Sequence, residues 1–180
     1  MVNKMGKIEV STFKFLNETV ERLDHPGLLL VSGTLKRANV MTIGWGLPGI
    51  LWGKPFFLVA VRPSRYTHQF IEEIGDFTVN VPRRGMEEIV NYCGSVSGRD
   101  HNKFEEKGLT LLPSKHLKSP IIKECVIHYE CKVAYKTQVI KEDLPASIIS
   151  ACYPSGDYHT LYFGEILAVH ADENLNIEKD

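Results

Sequence analysis

The stretch "AVRPSRYTHQFIEE", Ala60 to Glu73, gathers Arg62, Ser64, Arg65, Tyr66, Thr67 and His68 directly after an apolar run. The run predicts a strand. The residues after it predict a helix: Ser64 is a good N-cap behind Pro63, Phe70, Ile71 and Ile74 recur at helical spacing, and Gly75 is a stop. A helix start exposes unsatisfied N–H groups and a partial positive charge, so it holds anions. Arg62 and Arg65 flank that end, and Ser64 and Thr67 add hydroxyl donors. Guanidinium forks match phosphate oxygens in pairs. The junction can therefore hold a phosphate monoester without a glycine-rich loop. The same residues also make a capped helix with solvent-facing arginines, and their chemistry alone leaves both readings open.

Two further sets bear on this site. "SVSGRDHNKF" supplies Ser97 and Lys103, which either close over the same anion or belong to a solvated loop. In "NVMTIGW", a strand would point Asn39 and Met41 one way and Thr42 the other. Strand-edge backbone there can read a planar heterocycle, and Asn80 can add an amide or simply bond its own backbone. His159, before the apolar "LYFGEI", is a candidate reactive group or a core-edge histidine. "GWGLPG", Gly44 to Gly49, matches a dinucleotide fingerprint in spelling only, because no helix can open before Pro55. It reads as a flexible loop with Trp45 and Trp52 beside a site. The histidines have no metal-ligand spacing, and the acidic pairs on predicted helices read as solvated faces.

The elements that must position these residues are mostly strands. Gly27–Leu35, Asn39–Trp45, Pro55–Val61, Phe77–Val81, Val126–Ile140 and Tyr158–His170 all read as β. Short helices fit the stretch after Ser64, Met86–Cys93 and a turn near Asn102–Lys107. Several strands lie too close in sequence for helical crossovers. The expected class is mainly β, an antiparallel sheet or closed barrel with a few short helices. The tail after Asp172 is polar and expected to fray.

Bulk properties narrow the partners. The chain has 180 residues, which predicts one domain, with 43% hydrophobic and 24% charged residues. A formal charge of -1 suggests neither a nucleic-acid field nor a polybasic membrane patch. Cys93, Cys125, Cys131 and Cys152 form no C-x-x-C pair, and Cys125 and Cys131 in one strand lie about 20 Å apart. Scattered thiols fit a reducing compartment. The start lacks an apolar core of signal-peptide length, and Pro48, Pro55 and glycines break the apolar window Ile43–Val61. A cytoplasmic protein is expected.

The order "ANVMTIGWG", "VRPSRYTHQFI", "FTVNVP", "CGSVSGRDHNKFEEKGL" and "GDYHTLYFGEI" resembles the flavin reductase-like family, FMN-binding split barrels that include flavoredoxin and ferric reductase relatives. The resemblance covers roughly Gly27 to His170. It implies a six-stranded Greek-key split barrel, a homodimer, and FMN near the dimer interface. It places Met41, Thr42 and Ile43 against the isoalloxazine ring, with Asn39 on the same strand. Arg62, Ser64, Arg65 and Thr67 would surround the phosphate and ribityl chain. Asn80 and Val81 would approach from the next strand, and Ser97 and Lys103 would complete the phosphate site. His159 matches a histidine near the nicotinamide in NADH-dependent members, but Tyr158 is an extra residue in this "GDYHT". The implied activity is NAD(P)H-dependent reduction of a flavin, a ferric complex or a protein acceptor. The alternative is a flavoredoxin-like electron carrier docking to a redox partner without using nicotinamide.

Overall fold

The computed structural model describes residues 6–176. Residues 1–5 and 177–180, parts of the start and tail read above, lie outside the described residues. The elements are β1 (Lys7–Val10), α1 (Leu16–Asp24), β2 (Leu28–Thr34), β3 (Arg37–Ile43), β4 (Gly46–Leu51), β5 (Lys54–Val61), α2 (Tyr66–Ile74), β6 (Asp76–Val81), α3 (Glu87–Ser95), α4 (Lys103–Glu106), β7 (Leu111–Leu112), β8 (Ile121–Ile122), β9 (Ile127–Gln138), α5 (Ala146–Cys152) and β10 (Thr160–Asp172). The main sheet runs β3-β2-β6-β9-β10-β5-β4, with β1 added on β10, and β7 pairs β8 separately. Every pairing in it is antiparallel. Ala60 N–H donates to Trp45 O at 3.3 Å, which carries the β4–β5 ladder back to the end of β3, and the curled sheet brings β3 beside β5. This is the expected mainly β split barrel. Six strands (β2, β3, β5, β6, β9 and β10) form its wall, and β1 and β4 extend it to eight.

Strand alternation explains the two cores. In β2, Leu28 and Leu30 point into the barrel with Phe57, Val79 and Tyr129. Leu29 and Val31 point outward and pack under Met86, Val90 and Cys93. The unbroken apolar run of β2 is thus two alternating faces, both covered. Gly164 marks a close approach at a register shift of β10 against β9. A Cβ there would lie 2.6 Å from the Phe77 ring and 2.7 Å from Cys131 Cβ. Only glycine lets the wall bend inward at that point.

Two expectations change. The stretch beginning at Gly46, read as a flexible loop, is strand β4, which pairs with β5 through Pro48 opposite Phe57. Trp52 (φ 52) and Gly53 (φ 71) form the two-residue left-handed turn that joins them. Pro48 is tolerated because β4 is an edge. The tail does not fray at once after Asp172 either. The buried Asp172 carboxylate pairs with Lys7 and Arg83, and Leu175 packs on the inner core. No helix among the described residues is long and apolar enough to cross a membrane.

Candidate functional site

Strand β3 is the spine of the site. Asn39 and Met41 line a cavity of about 210 Å³ between β3, the start of α2 and the segment that follows α3. Met41 and Ile43 line an adjoining cavity of about 200 Å³, closed on its far side by Trp45, Ala60 and His159. Arg62 and Arg65 line both. The alternation read from the sequence holds: Thr42 turns away, and its hydroxyl donates to Val90 O of α3.

The first cavity has three cations on its wall, Arg62, Arg65 and Lys103, and no carboxylate. Lys103 is 4% exposed, and its ammonium donates to Val40 O at 2.9 Å and Cys93 O at 2.7 Å. An ammonium has three donors, so one remains for a ligand. Burial pushes the Lys103 pKa down from its ordinary value. A buried cation facing only carbonyls is stabilised by an anion. Thr67 is fully buried and accepts from Asn39 Nδ2 at 2.7 Å, which leaves its hydroxyl proton to donate. Arg65 uses one nitrogen on Gly94 O at 3.0 Å. Cys93 shares this wall, but burial raises its thiol to about 11, so it stays protonated and inert.

The helix start is arranged differently from the expectation. The N-cap position of α2 is Arg65, not Ser64. Ser64 Oγ donates to Asp157 Oδ2 at 2.5 Å, and Ser64 N–H to Asp157 Oδ1 at 3.3 Å. Asp157, which does not line the cavity, thus takes both of these Ser64 donors. Arg62 is likewise engaged, donating to the carbonyls of Cys152 (2.7 Å), Asp157 (3.1 Å) and Gly156 (3.3 Å). Both residues line the cavity but spend donors fastening the 152–157 segment. The donors left for an anion are those of Lys103, Arg65 and Thr67, with Ser97 beside them.

That fastened segment positions His159. Gly156 (φ 76) and Asp157 (φ 57) are both left-handed, and they bend the chain just before Tyr158. Tyr158 swings out to stack on Tyr153, with ring centroids 4.7 Å apart. His159 stays on the cavity wall, its Nδ1 2.8 Å from Tyr153 Oη and its ring 4.8 Å from Trp45. Burial, with help from the Arg62 charge, lowers its pKa to about 4. His159 is neutral at physiological pH. Tyr153 and Asp157 were not singled out from the sequence. The Gly-Asp pair 156–157 was the available signal, because those types tolerate left-handed backbone.

Asn80 and Val81 are not brought to the site. Both are fully buried. Val81 points into the barrel core. Asn80 donates to Leu29 O at 3.1 Å and accepts from Ile122 N–H at 3.0 Å and from His128 Nδ1 at 2.9 Å. Its amide ties β8 to the barrel wall, and it lines neither cavity. Sequence parity could not separate this role from a ligand role, since both need a buried amide near a strand end.

Fold and site together define a split β-barrel with a basic groove running along its third strand. The chain belongs to the flavin reductase-like family: the model of the flavin reductase like domain matches residues 21–178. It is 39% identical over 145 residues to an uncharacterized protein of Archaeoglobus fulgidus, covering 80% of this chain and 71% of that one. Among solved structures it is similar to flavoredoxin from Methanosarcina acetivorans (29% identity, TM-score 0.66, 86% of this chain and 73% of that one). Flavoredoxin of Desulfovibrio vulgaris (Miyazaki F) is similar too (28% identity, TM-score 0.65, 82% and 70%).

Proposed function

We propose that this protein is an FMN-binding flavoprotein oxidoreductase that uses NADH or NADPH to reduce a flavin, a ferric complex or a protein acceptor. The observation that carries it is the carboxylate-free cavity with the buried Lys103 ammonium, adjoining a second cavity walled by Met41, Ile43 and Trp45. The donors fit a phosphate, and the second cavity offers the apolar and aromatic faces a planar ring needs. Lys103, Arg65, Thr67 and Ser97 would hold the phosphate, and Met41 and Ile43, with the strand backbone at Thr42, the ring. When bound, FMN supplies the hydride and electron chemistry. Arg62 and Asp157 fix the segment that carries His159. His159, neutral and hydrogen-bonded to Tyr153, walls the ring cavity and orients a second planar reactant without moving a proton. Trp45 excludes water from the same face.

The similarity to two flavoredoxins favours a second reading, an FMN-containing electron carrier without nicotinamide-dependent activity. We also propose a cytoplasmic homodimer. Leu47, Ile50 and Trp52 are each more than 60% exposed on the β4–β5 hairpin, an apolar edge that self-association would cover. The test is the visible spectrum of FMN-loaded protein under anaerobic conditions. Bleaching on addition of NADH or NADPH supports the reductase, whereas bleaching by dithionite alone supports the carrier. A protein that takes up no flavin refutes both.

A further inference from the structure

The groove does not end at the phosphate position. A third cavity, of about 350 Å³, lies beyond it. Asn39, Tyr66, Gly98 and Lys103 line both the third cavity and the first, while the third shares no residue with the ring cavity. The three therefore lie in a row: ring cavity, phosphate cavity, third cavity. Strand β3 runs past all of them, from Ile43 through Met41 and Asn39 to Arg37, roughly 20 Å at 3.3 Å per residue. Lys103 stands at the junction, lining both cavities, with one N–H left for a phosphate there.

The walls of the third cavity suit a nucleotide. Arg99 lies over the Tyr66 ring at 5.0 Å and donates to Ser64 O at 3.1 Å. Arg37 lies over Phe70 at 4.8 Å, paired at the surface with Glu73. A guanidinium with one face on an aromatic ring offers its other face to a planar base and its edge to phosphate oxygens. Asp100, in the same wall, supplies an acceptor for ribose hydroxyls. This combination of stacking planes, cations beside the phosphate position and one carboxylate matches an adenine nucleotide better than a simple anion.

We infer that the third cavity is an adenylate subsite continuous with the flavin phosphate position, so that the chain takes flavin adenine dinucleotide in preference to the mononucleotide. The inference rests on the flavin reading above and goes beyond it by naming which flavin is preferred. The adenylate of a nicotinamide dinucleotide has the same chemistry. The linear order of the cavities favours the flavin, because the subsite begins where the flavin phosphate ends.

The test is equilibrium titration of flavin-free protein with FMN and with FAD, read by quenching of flavin fluorescence, for wild type, Arg99→Ala and Arg37→Ala. The expected result is FAD binding about tenfold more tightly than FMN, as one added charge-assisted contact gives. Most of that ratio should be lost in Arg99→Ala. The ratio is read within each protein, so a general loss of affinity does not imitate the effect. FMN binding as tightly as FAD, or more tightly, overturns the inference and leaves the flavin reading standing. Failure of both flavins to bind removes the flavin reading itself. A preference for FAD that survives both substitutions refutes the assignment to this cavity. AMP binding to FMN-loaded protein, displaced by NADPH and unaccompanied by any FAD preference, would give the subsite to the reductant and overturn the inference equally.

Discussion

Replacing Lys103 with methionine keeps an unbranched side chain, one atom shorter, and removes its charge and donors. In the wild type the buried ammonium makes two carbonyl hydrogen bonds and has one N–H left for the ligand. A hydrogen bond to a charged group contributes about 1.5–3 kcal/mol, so Lys103→Met should raise the Kd for FMN roughly 10- to 150-fold. Stability without flavin responds to two opposed effects. The carbonyls of Val40 and Cys93 lose their donor, but the desolvation that lowers the lysine pKa is relieved. Thermal shift with ligand separates binding from folding. At a flavin concentration 100 times the wild-type Kd, binding stabilises the fold by about 2.7 kcal/mol. That raises Tm by roughly 5–11 °C for a chain of this size. A 100-fold weaker variant at the same concentration retains about 0.4 kcal/mol, a shift of about 1–2 °C. A folded Lys103→Met protein with the wild-type Kd and the full thermal shift would refute the placement of the phosphate beside Lys103.

The remaining predictions use the same site and its frame. Flavin affinity should weaken as pH rises through the depressed Lys103 pKa: the charged form binds the phosphate, burial makes it lose its proton earlier than an ordinary lysine, and binding should therefore take up a proton in alkaline titrations. Arg65→Ala removes a guanidinium that uses one nitrogen on Gly94 O and should weaken FMN about tenfold with little change in flavin-free Tm; an equally tight variant would mark Arg65 as a surface residue only. His159, at about 4 in the fold, gains its proton later than in the unfolded chain, so it should cost stability as pH falls from about 6.5 to 4, by up to about 3 kcal/mol; His159→Gln should flatten that part of the Tm–pH curve relative to wild type. Gly164→Ala forces a methyl against Phe77 and Cys131 and should lower Tm by roughly 3–10 °C, read by circular dichroism.

The legible parts of this fold were those where one physical cause dominates a short stretch. Leu28–Thr34, Lys54–Val61 and Asp76–Val81 are strands within a residue or two of where apolar patterning places them, and Gly75 ends α2 in the left-handed conformation a glycine stop implies. Strand β4 was illegible because glycine and proline argue against a strand. The two-residue turn at Trp52–Gly53 overrides them, and a tryptophan at positive φ is not a turn signal. Helix α1 was missed because its buried face rests on Thr19 and Leu23, too few apolar positions to stand out. Asn80 shows the limit for polar residues. Its type predicts a hydrogen-bonded amide, but whether the partner is a ligand or β8 depends on a chain segment 42 residues away.

The relation between the phosphate site and the 152–157 segment carries the main physical lesson. The sequence around Ser64 predicts donors for a bound anion; in the fold the Asp157 carboxylate takes the Ser64 donors instead. Gly156 and Asp157 turn left-handed there, Tyr158 stacks on Tyr153, and His159 lies on the wall of the ring cavity. Arg62, which reads as a phosphate ligand, then serves the site indirectly by holding three carbonyls of that segment. In the function proposed above, the cationic role falls to Lys103 and Arg65 of the same cavity. Ligand affinity should consequently depend more on Lys103 than on Ser64, the reverse of the ranking that the local sequence suggests.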